Sequence, residues 1–309
     1  MSAIAGLLTA IKARADGDTG AGGLFRLDPA RGAERLWQSP SNFAVVGIAG
    51  STGGSVPSVL VATLAEVFIF PGLPSTVSRV TATSAVNGEV RELAELAPGE
   101  ALLLADRGRA PTPDRAVLRF PVSGQDGVRT VHSVPEVAAL EALHHDPART
   151  PSLFFAGGGR MFEGDLVSRR QVSMELPRSW SAAEVAGFDL LAIAQVGPSL
   201  LAVGERGAVF RRTPSGWVAE LAPDGPEDEA WRDLAQVPGS DGDPEGYAVG
   251  RSGRMSRGSI LRLYRGQFSS GGGAPEWDLV DLCFTGPDEA YAVGTYRSQA
   301  RALVLRGTR

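Results

Sequence analysis

The sequence has few of the residues that carry covalent chemistry. Among 309 residues it has one cysteine, Cys283, and three histidines. A single cysteine excludes an intrachain disulfide, so nothing points to an oxidising compartment. Nucleophilic catalysis needs a base beside the nucleophile, and no G-x-S-x-G motif is present. We therefore expect a protein without catalytic residues that is not an enzyme.

Lysine and long apolar runs are also scarce. Lys12 is the only lysine among 30 basic residues, and the formal net charge is −5. An acidic balance argues against nucleic acid as a partner, because non-specific binding draws on a basic field. The apolar run at residues 3–11 lacks the preceding basic segment of a secretory signal. No other run is long enough to span a bilayer, so we expect a cytoplasmic protein without a membrane partner.

Metal and cofactor motifs are fragmentary. His144-His145-Asp146 offers ligand atoms, but adjacent strand residues point to opposite faces, and we expect a solvated turn there. Residues 16–18 and 241–245 resemble pieces of calcium loops without the closing glutamate. No phosphate-binding G-x-x-x-x-G-K loop surrounds Lys12. We expect no metal and no cofactor.

Repetition is the strongest signal in the sequence. The motif Leu-Leu-Ala-Val-Gly at 200–204 recurs as Tyr-Ala-Val-Gly at 247–250 and 291–294. Weaker copies lie upstream, and together the copies are marked by seven alanines: Ala10, Ala62, Ala105, Ala156, Ala202, Ala248 and Ala292. Their steps of 52, 43, 51, 46, 46 and 44 residues are close to the length of a propeller blade.

Each repeat also contains flanking apolar segments separated by Gly, Pro and Asp turns. The predicted innermost strands are 43–49, 90–96, 137–143, 190–196, 231–237 and 277–284. Four short strands per repeat are typical of a β-propeller blade. We predict an all-β fold: a single β-propeller domain over residues 1–309, with about seven four-stranded blades. The last repeat stops after three strands, so either one terminal blade is incomplete or a partner supplies its fourth strand; we favour the first.

The repeats resemble those of bacterial β-propeller proteins of the kelch, BNR and photosystem-assembly-factor type. The resemblance is one of architecture, since no kelch double glycine, WD dipeptide or Asp-box recurs in register, and no family active site can be carried over. Residues 24–32 are similar to a strand and turn of the gluconolactonase propellers. This resemblance implies an alternative function, a small-molecule site or a metal-dependent, lactonase-like or lectin-like site in the central channel.

Charge is divided between two classes of loop. Loops between second and third strands carry arginines, namely Arg107, Arg109, Arg115, Arg206, Arg251, Arg254, Arg257, Arg297 and Arg301. Loops between first and second strands carry acids, namely Glu100, Asp146, Asp241, Asp243, Glu245, Asp288 and Glu289. These loop classes lie at opposite ends of a propeller, so we predict one Arg-rich face and one acidic face. A row of third-strand arginines (Arg26, Arg119, Arg211, Arg262, Arg306) is expected to protect strand edges.

Trp180 is the one tryptophan without a place in a blade, so we expect it to be exposed and able to anchor a partner. Arginine suits bidentate contacts with carboxylates and is enriched at interface hot spots. We predict a non-catalytic protein-protein interaction scaffold or adaptor subunit of a bacterial intracellular assembly, which binds an acidic segment of a protein partner. The predicted partner-binding residues are Arg107, Arg109, Trp180, Arg251, Arg254, Arg257, Arg297 and Arg301.

Overall fold

A computed structural model of the chain describes sixteen segments. They are residues 7–10, 23–28, 32–38, 45–51, 58–63, 67–71, 78–80, 88–97, 100–107, 114–121, 128–224, 229–240, 242–251, 260–272, 277–296 and 301–308. Within this part of the chain, no helix is long and apolar enough to cross a lipid bilayer.

The described strands form seven sheets in which consecutive strands lie side by side. The first sheet contains β1 (Leu7–Ala10), β2 (Gly23–Asp28) and β3 (Gly32–Gln38). The second contains β4 (Val45–Ser51), β5 (Ser58–Thr63), β6 (Val67–Pro71) and β7 (Ser78–Val80). The third contains β8 (Gly88–Ala97), β9 (Glu100–Arg107), β10 (Asp114–Pro121) and β11 (Arg129–Ser133). The fourth contains β12 (Ala142–His145), β13 (Leu153–Gly157), β14 (Arg160–Gly164) and β15 (Arg169–Val172).

The remaining three sheets follow the same pattern. The fifth contains β16 (Leu190–Val196), β17 (Ser199–Gly204), β18 (Val209–Thr213) and β19 (Gly216–Leu221). The sixth contains β20 (Ala230–Gln236), β21 (Glu245–Arg251), β22 (Ile260–Tyr264) and β23 (Gln267–Gly272). The seventh contains β24 (Trp277–Gly286), β25 (Glu289–Tyr296) and β26 (Arg301–Thr308). Within the described residues, the first and the seventh sheets thus have three strands each.

Two compact units are distinguished along the chain. The N-terminal unit comprises the described residues of 8–155 together with 162–170, and the C-terminal unit comprises Leu7, 156–161 and the described residues from 171 onward. The prediction of one domain stays a prediction. One apolar cluster of the N-terminal unit includes Leu103, Leu118 and Phe120. A cluster of the C-terminal unit includes Leu201, Trp231 and Leu261.

The repeat predicted from the sequence is visible in both packing and backbone register. Six of the marker alanines, Ala62, Ala105, Ala156, Ala202, Ala248 and Ala292, lie in second strands and are at most 5% exposed. In the fifth, sixth and seventh sheets the first strand carries a β-bulge at the same place, opposite the Val-Gly pair that follows the marker alanine. The second and third sheets also have a bulge in this strand, displaced by one and by two residues relative to the alanine. The bulge shared by the last three sheets shows that these repeats are structural as well as sequential.

One predicted innermost strand is wrong. The fourth sheet begins at β12, so of the predicted strand 137–143 only residues 142–143 are in a strand, and 137–141 are bend and irregular backbone. Val134, Val137 and Leu140 are buried, but their spacing of three does not fit the two-residue alternation of a strand. His144 and His145 consequently lie in β12 and not in a solvated turn.

Candidate functional site

A long connection, which we call the strap (residues 173–189), leads from β15 to β16 and covers the outer edge of the fifth sheet. Met174 pairs in parallel with Trp217 of β19. The Trp217 amide donates to the Ser173 carbonyl oxygen at 2.9 Å, and the Glu175 amide donates to the Trp217 carbonyl oxygen at 2.9 Å. Gly216 makes room for this contact: its φ is +144°, and a Cβ there would lie 2.5 Å from the Ser173 hydroxyl oxygen. The strap therefore begins with a single parallel β-bridge along the edge of the fourth strand, β19.

The strap continues into a one-turn helix, Ala182–Ala186. The Ser181 hydroxyl accepts from the Glu184 amide at 3.2 Å, and the Ser181 amide donates to the Glu184 carboxylate at 2.7 Å. This capping box has the sequence pattern Ser-x-x-Glu, which marks the start of a helix. The prediction of an all-β repeat did not include this helix. Hydrogen bonds from Ser181, helped by the charge of Arg206, lower the pKa of Glu184.

Two loops of the C-terminal unit hold the end of the strap. A Cβ at Gly159, whose φ is +69°, would lie 1.7 Å from the Val185 carbonyl oxygen, so only glycine permits this approach. The Gly158 amide donates to the Asp189 carboxylate at 2.7 Å. The Asp189 amide in turn donates to the Glu205 carboxylate at 3.1 Å. The strap is thus fixed to the loops that follow the second strands of the fourth and fifth sheets.

Trp180 lies in the strap and is half-buried, not exposed as its isolation in the sequence suggested. Its ring meets Phe188 edge-on with 5.3 Å between centroids, and Phe188 meets Phe210 in the same way at 6.2 Å. The guanidinium carbon of Arg206 lies 4.7 Å from the centroid of the Trp180 ring. Trp180 is therefore a positioned aromatic side chain with one edge on the core and a cation on its face.

Arg206 adopts a backbone conformation that L-residues rarely use, with φ of +55°. It occupies a tight turn in which the Ala208 amide donates to the Glu205 carbonyl oxygen at 3.1 Å. A left-handed residue other than Gly or Asn costs free energy, and such strain collects at functional sites. The strained turn brings the Arg206 side chain over Trp180.

The strand register places Arg251 beside this turn. Ala230 of β20 pairs with Arg251 of β21 and forms an antiparallel bridge with Glu205. Neighbouring strands lie about 4.8 Å apart, so the backbones of Glu205 and Arg251 are roughly 10 Å apart. Trp180, Arg206 and Arg251 therefore occupy one end of the C-terminal unit; we call them the Trp-Arg surface.

The other predicted arginines are described less fully. Arg107 is the last residue of β9 and pairs with Asp114, while Arg301 is the first residue of β26 and pairs with Tyr296. Both backbones thus lie where a second strand passes to a third, as predicted. Arg109, Arg254, Arg257 and Arg297 lie outside the described residues.

Arg115, which the sequence placed among the exposed loop arginines, is neutralised within its sheet. Its side chain is 12% exposed, and its guanidinium lies 3.3 Å from the Asp106 carboxylate. Arg91 of the neighbouring strand approaches the same carboxylate at 3.8 Å. The arginine face of the N-terminal unit is therefore partly compensated.

The predicted acidic face is largely paired with arginine. Glu100 binds Arg119 through both guanidinium Nε and Nη2. Glu245 is fully buried and accepts from Arg262 Nε at 2.8 Å and from the Tyr247 hydroxyl at 2.8 Å. Two third-strand arginines, Arg119 and Arg262, therefore bind acids at the start of second strands, whereas Arg211 binds Glu220 of the fourth strand. The two loop classes are less polarised than their sequences suggest.

Next to Glu245, the exposed Asp243 also has an arginine partner. Arg265 donates to the Asp243 carboxylate from Nε at 2.9 Å and from Nη2 at 2.8 Å. The hydrogen bond from Arg265 lowers the pKa of Asp243. The guanidinium carbons of Arg262 and Arg265 lie 4.8 and 5.1 Å from the Tyr264 ring centroid.

Two of the three histidines, His132 and His144, are packed beside phenylalanine rings. His132 stacks on Phe155 at 5.9 Å, and its Nε2 lies 2.6 Å from the Asp165 carbonyl oxygen. Burial lowers the pKa of His132 and lowers that of His144 to about 4. Within the described segments, no three His, Cys, Asp or Glu side chains lie close enough to hold a metal ion. Cys283 belongs to β24.

No protein-family model matches the sequence, and no curated protein sequence does. Solved structures do match along nearly the whole chain. YCF48 bound to D1 peptide has 12% identity and a TM-score of 0.60, covering 100% of this chain and 97% of that one. Chaetomium thermophilum Sqt1 bound to the N-terminus of ribosomal protein L10 has 13% identity and a TM-score of 0.60, covering 99% of this chain and 94% of that one.

An enzyme also has a similar fold. A luciferin-regenerating enzyme has 11% identity and a TM-score of 0.50, covering 93% of this chain and 84% of that one. Identities this low show the fold alone. Together with the seven sheets, the comparisons confirm that the chain is a β-propeller repeat protein.

Proposed function

We propose that the chain is a non-catalytic adaptor of a bacterial intracellular assembly, which binds an acidic segment of a protein partner through the Trp-Arg surface. The observation that carries the proposal is the Trp180–Arg206 stack. A half-buried indole held between Phe188 and a guanidinium presents a large contact area with little conformational entropy left to lose. Tryptophan and arginine are the residue types that most often dominate binding energy at interfaces.

The chemistry of the surface selects a carboxylate-bearing ligand. Arg206, in the turn after β17, and Arg251, at the end of β21, lie on either side of Ala230. Arg254, Arg257, Arg297 and Arg301 belong to the same loop class in the sequence. Guanidinium groups bind carboxylates bidentately, so several of them along one surface favour an acidic segment. Arg107 and Arg109 belong to the N-terminal unit and keep their proposed role as partner-binding residues there.

Two of the similar structures support a protein as the ligand class. YCF48 was solved with D1 peptide and Sqt1 with the N-terminus of ribosomal protein L10, so two proteins with this fold bind segments of other proteins. These two structures support only the class of ligand, a segment of a protein. The location of the binding surface is proposed from the residues of this chain.

The experiment starts from affinity purification of the tagged protein from its host, followed by titration with the purified partner. Reversing Arg251, Arg254 and Arg257 to Glu should weaken the affinity by about 100-fold or more, and Trp180→Ala by about tenfold or more. Arg129→Glu is the matched control for Arg251→Glu, because Arg129 is exposed on the outer strand β11. Unchanged affinity in the triple variant would rule out the Arg surface, and unchanged affinity in Trp180→Ala would rule out the anchor.

Salt dependence gives a second readout. Binding through several guanidinium–carboxylate contacts should weaken steeply as ionic strength rises, and the triple variant should lose most of that slope. A salt-independent affinity would show that apolar contacts, and not arginines, carry the interaction.

A further inference from the structure

The fifth and sixth sheets have the same strand register, but among the described residues a cover on the outer edge is present only at the fifth. In both, a two-residue turn precedes the fourth strand, and the next pair is Arg212–Trp217 in one sheet and Leu263–Phe268 in the other. The pairing then shifts by one residue at the same place, between Val209/Phe210 and between Ile260/Leu261. Phe268 is thus the structural counterpart of Trp217.

This register fixes the direction of the Phe268 backbone groups. In an antiparallel hairpin with a two-residue turn, the residues flanking the turn exchange hydrogen bonds, and the next pair points its amide and carbonyl groups outward. Trp217 follows this rule, since both of its outward groups bind the strap. The amide and carbonyl of Phe268 accordingly point away from β22, toward the open side of β23.

The strand β23 has the surface expected of an uncovered edge. Its sequence, Gln-Phe-Ser-Ser-Gly-Gly, contains no charged residue. Four of its six residues are exposed, whereas Gly216 and Trp217 at the start of β19 are buried. Among the described residues, none from outside the sixth sheet makes a backbone hydrogen bond with β23. Edge strands that must avoid pairing usually carry charges, as β15 does with Arg169 and Arg170.

We propose that β23 is a second interface, where an extended segment of a protein partner pairs in parallel as a fifth strand. The chain's own strap defines the chemistry of the occupant. The occupant's residue beside Phe268 takes the place of Met174, a flexible apolar side chain next to an aromatic one. The residues before and after it supply one carbonyl and one amide to the Phe268 backbone. Main-chain hydrogen bonds then give the affinity, and Phe268 selects an apolar neighbour.

This interface does not depend on the Trp-Arg surface. The interface lies at the edge of β23. Its ligand is selected by backbone hydrogen-bonding groups and by shape, and not by charge. The turn at its start carries Arg265, which is already engaged by Asp243. Reversal of Arg251, Arg254 and Arg257 should therefore leave it unchanged.

The test uses the full chain and a labelled synthetic peptide with the sequence of residues 171–177, Gln-Val-Ser-Met-Glu-Leu-Pro. Phe268→Pro removes the outward amide while leaving the bonds to β22, and proline is tolerated on edge strands. Phe268→Leu keeps the amide and serves as the control. A peptide N-methylated at its glutamate lacks the donor for the Phe268 carbonyl and leaves the protein unaltered.

We expect the affinity for the peptide to fall about tenfold or more in Phe268→Pro, and likewise for the methylated peptide. In Phe268→Leu the affinity should stay within about threefold of that of the unaltered protein. Hydrogen exchange of the Phe268 amide should slow when the peptide is present. Equal binding to the Phe268→Pro protein would place the peptide elsewhere, including at β19 in exchange for the strap, and would overturn the proposal. So would no binding at peptide concentrations up to about 1 mM.

Discussion

Arg262 donates its Nε hydrogen at 2.8 Å to the carboxylate of Glu245, a side chain with no exposed surface. The pair joins the second and third strands of the sixth sheet, and the Tyr247 hydroxyl binds the same carboxylate oxygen at 2.8 Å. A residue that belongs to an acidic loop in the sequence is therefore an internal structural group.

Glu245→Gln should lower the free energy of unfolding by about 2 kcal/mol, because it weakens hydrogen bonds to a buried charged acceptor. Asp243→Asn is the matched control two residues earlier, at an exposed pair with Arg265, and should leave stability nearly unchanged. Urea denaturation of both variants measures the difference. Equal losses in the two variants would show that burial of the carboxylate does not matter.

Alanine substitutions at Gly159 and at Gly239 distinguish the cost of the strap contact from the cost of a left-handed backbone. Both have left-handed φ, +69° and +73°, but a Cβ at Gly159 would overlap the Val185 carbonyl oxygen, while nothing lies within 4 Å of one at Gly239. Gly239→Ala should cost about 1 kcal/mol, the conformational penalty alone. Gly159→Ala should cost about 3 kcal/mol or more, because the helix end must move. Thermal unfolding of both proteins checks the pair, and equal costs would contradict the close packing of the strap.

The architecture could be predicted from the sequence because the same strand pattern recurs in each repeat. A buried alanine in the second strand of six sheets and polar turns between short apolar runs define the repeat even where single copies are weak. Features that occur once are harder to predict. The helix at 182–186 is signalled by the Ser181–Glu184 capping box alone. Residues 137–141 were predicted as part of a strand because most of them are apolar, but Val137 and Leu140 pack into the core from bend and irregular backbone.

The candidate site was predictable only in part, for a physical reason. The loop class of Arg107, Arg251 and Arg301 follows from strand order, which the repeat provides. Which charges pair does not follow from order, because it depends on side chains that meet across strands, as Glu100 meets Arg119. Trp180 was singled out for lacking a blade position, but its contacts with Phe188 and Arg206 arise from the path of the strap.

His144 predicts a pH-dependent stability. Burial lowers its pKa from 6.5 to about 4, so between these values the unfolded chain binds a proton that the folded chain does not. Stability should therefore fall as the pH drops from 6.5 to 4, by up to about 3 kcal/mol, and this contribution should level off below pH 4. His144→Phe keeps a ring beside Phe154 and should remove this part of the pH dependence. Urea denaturation across the range tests it, with His145→Phe as control; an unchanged slope in His144→Phe would contradict the assignment.

The stack of Arg206 on Trp180 should be measurable as a coupling between the two residues. Trp180→Ala, Arg206→Asn and the double variant form a thermodynamic cycle, and asparagine tolerates the left-handed backbone at 206. We expect a coupling free energy of about 0.5 to 1 kcal/mol, the usual value for a cation over an aromatic face at a partly exposed site. A cycle with Arg178, an exposed arginine of the same strap, should give no coupling. If both cycles gave none, the guanidinium would not hold the indole, and Trp180 would lose the rigidity on which its proposed role as an anchor depends.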